Sequence, residues 1–458
     1  MVCVSTEEGV TGYRPVQARI SLMENALSPL SSRTWQAPAP LALAVCLALA
    51  GCATAPAPGM TATPAQAVRA SPPQAVRPAP APAVAASGFE RWIAEFRRSA
   101  SAAGIDDKTL ALAFDTVREL PQVVELDRRQ PEFTRAVWDY LDSAVSAQRV
   151  SRGQMKLQEV QASADAAAVR YGVPASVVAA IWGMESNYGS NYGDIPTIDA
   201  LATLGFEGRR EDWAKGQLMA ALKILQNGDI DRAHMIGSWA GAMGQTQFLP
   251  SAFLAYAVDA DNDGRRDIWG SMADVTASTA NYLARSGWLR GQPWGYEVRL
   301  PVGFDLARAD SSVRQASTQW ATDGLRTVDG SADLPPLTDA TVLLPAGARG
   351  PAFLVGPNFR AILRYNNSTS YALGVGLLSQ RLAGGPGVSA DWPRDLTALS
   401  RVQIQSLQTA LNQRGFVSGT ADGLMGPATR EGIRAWQRSE NLPPDGYPTL
   451  EVLQRLQP

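Results

Sequence analysis

The sequence predicts a mainly α-helical protein with a small β-containing insert and a separate, compact helical unit at its C-terminal end. Apolar residues recur at helical spacing through most of the chain from Phe89 onwards. Between Leu300 and Pro357 the chain is instead rich in Pro, Gly, Asp and Thr, with short strand-like runs such as Thr341 to Leu344. A break at Gly384 to Pro393 precedes the last helical pattern, which ends at Leu456. We therefore predict a folded unit over residues 87–384, a linker over 385–395 and a second unit over 396–458.

The N-terminal part lacks the pattern of a folded core. Residues 40–50 are apolar but too few to span a bilayer comfortably, so they predict a signal peptide. The small residues before Cys52 resemble the lipobox of bacterial lipoproteins, in which that cysteine carries the lipid. The resemblance implies a signal peptide over residues 1–52 and a periplasmic protein anchored at Cys52, and Ala53 in the next position favours the outer membrane. A plain secretory signal with an incidental cysteine is the alternative.

Composition narrows the possible chemistry. The 458 residues include 41 Lys and Arg against 43 Asp and Glu, with no long basic run, which argues against a nucleic-acid partner. The three cysteines, Cys3, Cys46 and Cys52, all precede the first helical pattern, so neither disulfides nor a cysteine metal site can support the fold. The one histidine, His234, excludes multi-histidine metal sites, and the serine near it does not stand in a nucleophile-elbow pattern. We expect a structural role for His234.

Residues 53–86 are almost entirely Ala, Pro, Thr, Val and Gln, which predicts an extended tether. After the tether, apolar residues recur at helical spacing. The pattern of a helical hairpin continues from Met155 to Ala168. Further helices are predicted after residue 200, up to a Gly-rich turn at Gly237 to Gly244. The apolar positions that define the first helices are Phe89, Trp92, Ile93 and Phe96, then Leu110, Phe114 and Val117, and then Val137, Leu141 and Val145.

The stretch from Gly172 to Gly193 organises the rest of the chain. Pro174 at the expected first helical position and the apolar run Val177 to Met184 predict a short helix deep in the core. Glu185 closes this uncharged helix, and polar, aromatic and flexible residues follow at once, so we expect it where the core opens into a groove. Partial burial and the negative end of the helix dipole both favour a raised pKa for Glu185. A carboxyl group protonated near neutral pH can donate a proton to a glycosidic oxygen, whereas the alternative is a solvated or Arg-paired glutamate.

A sharp bend of small residues, Gly241 to Pro250, contains Gln247, whose side chain we expect to face a ligand or, alternatively, to cap the turn. Three stretches now carry a family resemblance: GMESNYG around Glu185, SWAGAMGQTQFLP from Ser238 and NYL from Asn281. In this order they resemble the lytic murein transglycosylases of the membrane-bound B family, which are lysozyme-like, mostly helical enzymes that cleave peptidoglycan. The resemblance extends over nearly the whole first folded unit.

The resemblance implies a reaction and a site. Glu185 would be the single catalytic acid and base, protonating the bond between N-acetylmuramic acid and N-acetylglucosamine and then activating the muramyl 6-hydroxyl, with no cofactor for the chemistry. The residues implied to line the sugar groove are Ser238, Gln247, Tyr282, Tyr365, Asn366 and Tyr371. Flat tyrosine faces suit the apolar faces of sugars, although each tyrosine is equally compatible with core packing. A hydrolytic muramidase and a non-catalytic wall-binding lipoprotein remain as alternatives.

An acidic loop follows the bend. From Asp259 to Asp267 it has oxygen ligands at alternating positions and Gly264 at the sharp turn, as in the first nine positions of an EF-hand. Position twelve is Gly270, so closure would need a later acid such as Asp274, as in the unusual loop of the family that the chain resembles. The predicted ligands of a structural Ca²⁺ are therefore Asp259, Asp261, Asp263, Arg265, Asp267 and Asp274. The alternative is a solvated turn that caps the next helix.

The last unit has a helical face followed by fixed turn signals, which include Asp422-Gly423 and Asp445-Gly446. It closely resembles the small three-helix peptidoglycan-binding module found at the ends of many cell-wall hydrolases. The resemblance implies that this module targets the enzyme to glycan strands. The sequence does not predict an oligomeric state.

Overall fold

The computed structural model describes residues 87–128 and 135–457; the predicted signal peptide, Cys52 and the tether lie outside this part of the chain. Within the described residues, helices surround two small antiparallel sheets, which confirms the mainly helical class. The helices before the break are α1 (Gly88–Ala102), α2 (Asp107–Phe114), α3 (Pro121–Arg128), α4 (Val137–Ala144), α5 (Ala147–Glu159), α6 (Gln161–Tyr171), α7 (Ala175–Ser186), α8 (Thr197–Phe206), α9 (Glu211–Asn227), α10 (Pro250–Tyr256), α11 (Met272–Arg285), α12 (Ser317–Thr322), α13 (Pro357–Tyr365) and α14 (Thr369–Leu382).

Helix α7 is the predicted central helix. Its residues Val177 to Gly183 are all buried, because α5, α6, α11 and α14 pack around it. Pro174 is the N-cap residue and so precedes the helix by one position, where the prediction put it inside the first turn. Among the described residues no single helix is long and apolar enough to cross a membrane, and α6 with α7 meets that criterion only as a pair bent by 115°.

The insert is partly β, as predicted. Its antiparallel sheet has the order β4-β3-β6-β5, formed by β3 (Gly295–Arg299), β4 (Arg326–Thr327), β5 (Thr341–Leu343) and β6 (Ala352–Val355). The sheet begins five residues before the predicted start at Leu300, since Tyr296 and Val298 of β3 pair with Leu354 and Ala352. Trp320 fills the small core below the sheet and donates its indole N–H to the carbonyl of Ala340 at 3.0 Å.

The other sheet is a two-residue ribbon that prepares the site. β1 (Ile195–Pro196) pairs with β2 (Ile236–Gly237), so the chain after α7 lies beside the chain that enters the predicted bend. Because β2 ends at Gly237, the ribbon sets the position of Ser238 directly.

The C-terminal module has the three predicted helices, α15 (Arg401–Gln413), α16 (Pro427–Ser439) and α17 (Leu450–Leu456). A buried glutamine amide holds each Asp-Gly turn in the same way. Gln408 donates to the Asp422 carboxylate and accepts from the N–H of Gly423. Gln437 makes the equivalent pair of bonds to Asp445 and Gly446.

The module contacts the insert directly. The guanidinium of Arg434, only 3% exposed, lies 2.8 Å from the Asp310 carboxylate, and the Asp445 carboxylate accepts the N–H of Ala348 at 2.8 Å. The segment predicted as a linker is also fixed to the first unit. Glu297 accepts the N–H groups of Ser389 and Ala390, and Arg394 forms a bidentate ion pair with Asp142.

Candidate active site

The predicted acid, Glu185, lies one residue before the end of α7. Its Oε1 accepts a hydrogen bond from the hydroxyl of Tyr371 on α14, and the two oxygens are 2.5 Å apart. Tyr371 is 5% exposed, so the aromatic ring belongs to the core while its hydroxyl reaches the carboxyl group. The carboxyl group is only partly exposed, at the place where the sequence predicts that the core opens.

The protein environment raises the pKa of Glu185 to about 7. Burial is the main cause, because an ionised carboxylate loses its hydration there, and the Tyr371 hydrogen bond partly opposes the effect by stabilising the charged form. Among the described residues, the groups that shift this pKa include no second carboxylate. The raised pKa confirms the direction predicted from the sequence and leaves Glu185 substantially protonated at neutral pH.

Two further side chains near the end of α7 are not predicted from the sequence. Burial raises the pKa of Tyr140 on α4, and the charge of Glu185 adds to the effect, so the phenol lies close to the carboxyl group. Arg149 on α5 donates to the carbonyl of Gly183, one turn before the end of α7, at 2.6 Å. Helical spacing places Tyr140 on the same face as Val137 and Ala144, which is the signal that could have pointed to it.

Two of the predicted groove tyrosines belong to an aromatic cluster. The rings of Tyr282 and Tyr365 are 4.6 Å apart, and Tyr256 and Phe248 pack against Tyr282 at 4.5 and 5.6 Å. The Tyr365 hydroxyl donates to the carbonyl of Thr246 at 2.7 Å, and burial together with the nearby Glu185 charge raises its pKa well above the usual range. The cluster therefore links α11 and α13 to the predicted bend.

The Gln247 side chain caps the turn, which is one of the two alternatives considered for it, while contact with a ligand stays a prediction. Its Nε2 donates to the carbonyls of Gly244 and Tyr192, both at 2.9 Å, so the side chain caps the turn and joins it to the chain after α7. Its Oε1 has no partner among the described residues and is available to a ligand. The Ser238 hydroxyl accepts the N–H of Ala242 at 3.1 Å, while Asn366 is exposed just after α13.

The chain turns sharply after Glu185. Asn187, Tyr188 and Gly189 all have left-handed backbone conformations, with φ of 50°, 60° and 76°. The Tyr188 ring is buried, and its hydroxyl donates to the carbonyl of Arg149 at 3.2 Å. Two glycines make room for this ring: a Cβ at Gly153 would lie 2.2 Å from the Tyr188 hydroxyl oxygen, and one at Gly183 would lie 2.5 Å from its ring. Tyr188 is thus an anchor of the turn.

The acidic loop brings three of its predicted ligands together. One carboxylate oxygen from each of Asp259, Asp261 and Asp263 lies within 4.8 Å of the other two. Gly264 has φ of 90°, as the predicted sharp turn requires. Three converging carboxylates are the hard oxygen donors that calcium prefers.

The two later acids of the loop bind the backbone. Both oxygens of Asp274 accept N–H groups, from Ala260 and Asp267, and burial raises its pKa to about 6. One oxygen of Asp267 accepts the N–H groups of Trp269 and Gly270. Asp274 therefore spans the loop, whereas Asp267 fixes the chain that leaves it.

His234 lies on the surface, where its Nδ1 is 2.6 Å from the Asp231 carboxylate, which fits the expected structural role.

Two family models match the chain. Residues 88–380 match the transglycosylase SLT domain, and residues 400–456 match a peptidoglycan binding domain.

Three relatives with known structures or functions match between 61% and 81% of this chain. The membrane-bound lytic murein transglycosylase B of Escherichia coli K12 is 30% identical over 296 residues, which make up 61% of this chain and 79% of that protein. SltB3 of Pseudomonas aeruginosa, solved with NAG-anhNAM-pentapeptide, is 52% identical with a TM-score of 0.79 over 81% of this chain and 99% of that chain. Slt35 of Escherichia coli, solved with calcium, is 30% identical with a TM-score of 0.53 over 65% and 92% of the two chains.

Proposed function

The chain belongs to the transglycosylase SLT domain family, and from this premise we propose that Glu185 is the single acid and base of its reaction. The protein is a lytic transglycosylase that cleaves the β-1,4 bond between N-acetylmuramic acid and N-acetylglucosamine in peptidoglycan and leaves 1,6-anhydromuramic acid ends. One observation carries the role of Glu185: its carboxyl group lies partly exposed at the end of α7, where the Tyr371 hydroxyl binds its Oε1 and burial raises its pKa to about 7.

The reaction begins with proton transfer from Glu185 to the glycosidic oxygen. The bond from that oxygen to C1 of N-acetylmuramic acid breaks, and N-acetylglucosamine leaves with the proton on its 4-hydroxyl. The Glu185 carboxylate then takes the proton of the muramyl 6-hydroxyl, whose oxygen bonds to C1. The carboxyl group is regenerated and no water is consumed.

A single carboxyl group suffices if the substrate supplies the nucleophile. Most glycosidases use two carboxylates, whereas substrate-assisted enzymes use the acetamido group of the sugar itself. We propose the substrate-assisted course here, with Glu185 as the one carboxyl group that takes part. Tyr371 orients the Glu185 carboxyl group through its 2.5 Å hydrogen bond, which also lowers the pKa of Glu185.

The sugar groove is proposed to follow the aromatic cluster and the bend. Tyr282 and Tyr365 offer aromatic faces, and Gln247 offers a free amide oxygen to a sugar hydroxyl or N–H group. Ser238 and the exposed Asn366 lie on segments that the ribbon and α13 position. The C-terminal module is proposed to bind glycan strands and hold the enzyme on the wall, in keeping with its family match.

The acidic loop is proposed to hold a structural Ca²⁺. Asp259, Asp261 and Asp263 supply converging oxygens, and the solved structure of Slt35 with calcium supports the choice of metal. Arg265, Asp267 and Asp274 are proposed to complete the ligand set, as the sequence predicts, and the last two also accept backbone N–H groups that close the loop. The ion stabilises the fold and takes no part in bond cleavage.

Lipidation of Cys52 is proposed to anchor the enzyme in the periplasm at the outer membrane, on the strength of the lipobox resemblance. Labelling with a radioactive or clickable fatty acid tests this point. Incorporation should occur in the natural protein and vanish in Cys52→Ser. No incorporation into the natural protein would favour the plain secretory signal, and equal incorporation in both would place the lipid at another residue.

Mass spectrometry of the fragments that the mature protein releases from purified peptidoglycan tests the reaction, with Glu185→Gln measured in parallel. Muropeptides one water lighter than hydrolysis products are expected from the natural protein and none from the variant. Reducing ends of full mass would instead identify a hydrolytic muramidase. Binding without release would identify a non-catalytic wall-binding protein, and activity of Glu185→Gln near the natural level would overturn the role of Glu185.

A further inference from the structure

A hydrogen bond ties α7, the helix that carries Glu185, to the predicted bend. Neither of its two residues is among the predicted groove residues. Trp182 lies on α7, three residues before Glu185, and its indole N–H donates to Oε1 of Gln245 at 2.7 Å. Both side chains are nearly buried, at 5% and 8% exposure. A hydrogen bond shielded from water in this way restricts the helix more than an exposed one, because water cannot replace it.

The other end of the same amide is tied to the acidic loop. Nε2 of Gln245 donates to the carbonyl of Trp269 at 2.7 Å, and the backbone N–H of Gln245 donates to the carbonyl of Ile268 at 2.9 Å. The Asp267 carboxylate accepts the N–H of Trp269, so the chain that receives Gln245 is the chain that leaves the loop. One side chain therefore joins the loop to α7.

Gln245 also contacts the turn on the other side of Glu185. A Cβ at Gly189 would lie 2.2 Å from Oε1 of Gln245, so the backbone of the turn packs directly against the amide. Trp182 and Gly189 flank Glu185 in the sequence by three and four residues. The segment that carries the carboxyl group is thus held against Gln245 at both ends.

We propose that Gln245 is a positioning residue for the reaction: its amide fixes the end of α7 and the turn after it against the acidic loop, and thereby sets the place of the Glu185 carboxyl group. The inference rests on the proposed function of Glu185. Gln245 itself does not touch the reacting atoms. Without its two hydrogen bonds, the buried indole N–H and the Trp269 carbonyl lose their partners, and the end of α7 can relax towards water.

Gln245→Met tests the inference, because methionine keeps the length and bulk of the side chain but makes neither hydrogen bond. Gln217→Met is the matched control. Gln217 is also 8% exposed, and its amide both donates to the Ser251 hydroxyl and accepts the Ser251 N–H, each at 3.0 Å. It joins α9 to α10 and makes no hydrogen bond to α7, so it reports the effect of losing a buried amide elsewhere.

The kinetic readout separates position from stability. In Gln245→Met we expect kcat to fall at least tenfold with KM within about twofold. We also expect the alkaline limb of the pH profile to move to lower pH by at least about half a unit, since a better hydrated carboxyl group has a lower pKa. Gln217→Met should melt at a lower temperature but keep the natural pH profile. The inference is overturned if Gln245→Met retains the natural kcat and pH profile, or if the two variants change alike.

A direct readout does not depend on activity. In protein labelled with ¹⁵N-tryptophan, Trp182→Phe identifies the Trp182 indole resonance. Gln245→Met should shift that resonance and speed its hydrogen exchange, whereas Gln217→Met should leave it unchanged; an unchanged resonance in Gln245→Met overturns the inference. If the natural protein releases no anhydro fragments, the proposed function fails, and this resonance still decides whether Gln245 holds α7.

Discussion

The hydroxyl of Tyr371 lies 2.5 Å from Oε1 of Glu185, although 186 residues separate the two in the chain. The helices α7 and α14 pack side by side and bring them together. Two effects oppose each other at this carboxyl group. Burial favours its neutral form, and the hydrogen bond from the phenol stabilises its charged form. The balance between these two can be measured.

Tyr371→Phe removes only the stabilising hydrogen bond. The pKa of Glu185 should therefore rise above about 7, and the alkaline limb of the activity profile should move to higher pH, by about one unit for a hydrogen bond to a charged group. A pH series of initial rates checks this. Tyr296→Phe is the control, because its hydroxyl donates to the carbonyl of Pro335 in the insert. A limb that stays in place, or moves to lower pH, contradicts the assignment.

Glu185 should cost the protein stability at neutral pH. The folded state holds the proton up to a pKa of about 7, whereas the unfolded chain releases it near 4.5, so stability falls as the pH rises between these values. The difference corresponds to about 3 kcal/mol at 1.36 kcal/mol per pH unit. Glu185→Gln should match the natural protein near pH 4 and exceed its free energy of unfolding by roughly that amount at pH 8.

Chemical denaturation across this pH range measures the difference. Glu95→Gln, on the exposed side of α1, serves as the control and should follow the natural protein at every pH. A difference between Glu185→Gln and the natural protein that is constant with pH would show that folding does not shift the Glu185 pKa, and would contradict the raised value.

Calcium should raise the melting temperature by several degrees, since a ligand that binds only the folded state at 100 times its Kd contributes about 2.7 kcal/mol. Asp261→Asn should abolish the increase, because it removes one of the three converging carboxylates. Asp329→Asn, in an exposed acidic turn of the insert, should not. Differential scanning calorimetry with calcium and with chelator provides the comparison. Equal melting with and without calcium in the natural protein would count against the metal loop.

Arg434→Met should loosen the contact between module and insert. It removes a nearly buried guanidinium that binds Asp310 and the carbonyl of Ala309, at a cost of about 1.5 to 3 kcal/mol for a hydrogen bond to a charged group. Calorimetry should then show a separate transition for the module. Arg438→Met on the same helix removes an ion pair with Glu431 that is half exposed, and should cost at most about 1 kcal/mol. A single unchanged transition in Arg434→Met would show that other contacts suffice to hold the module.

The sequence predicts the central parts of this site because they depend on local pattern. Glu185 closes an uncharged apolar helix, and both the helix and the raised pKa follow from that pattern. Gly264 and the two Asp-Gly turns of the module have the left-handed conformations that their types require. The groove tyrosines come from the family resemblance alone, and their contact with sugars stays a prediction.

The parts that the sequence does not predict depend on contacts between distant segments. Tyr140, Arg149 and Gln245 approach α7 from three other elements. Helical spacing indicates the buried face of Tyr140 but not its neighbour, and nothing in the local sequence of Arg149 or Gln245 distinguishes them from surface or core residues of the same type. Hydrogen bonds also decide side-chain roles: Gln247 caps its turn while keeping a free oxygen, and Asp274 binds two backbone N–H groups. These outcomes require the packed structure.

The packing of Tyr188 between Gly153 and Gly183 makes these three positions epistatic. Alanine at either glycine collides with the phenol ring while Tyr188 is present, so the tyrosine must be replaced first. That first replacement in turn leaves a void against α5 and releases the turn that follows Glu185. A stepwise path away from this trio therefore begins with a weakened enzyme, so substitutions at these three sites should be found together rather than singly.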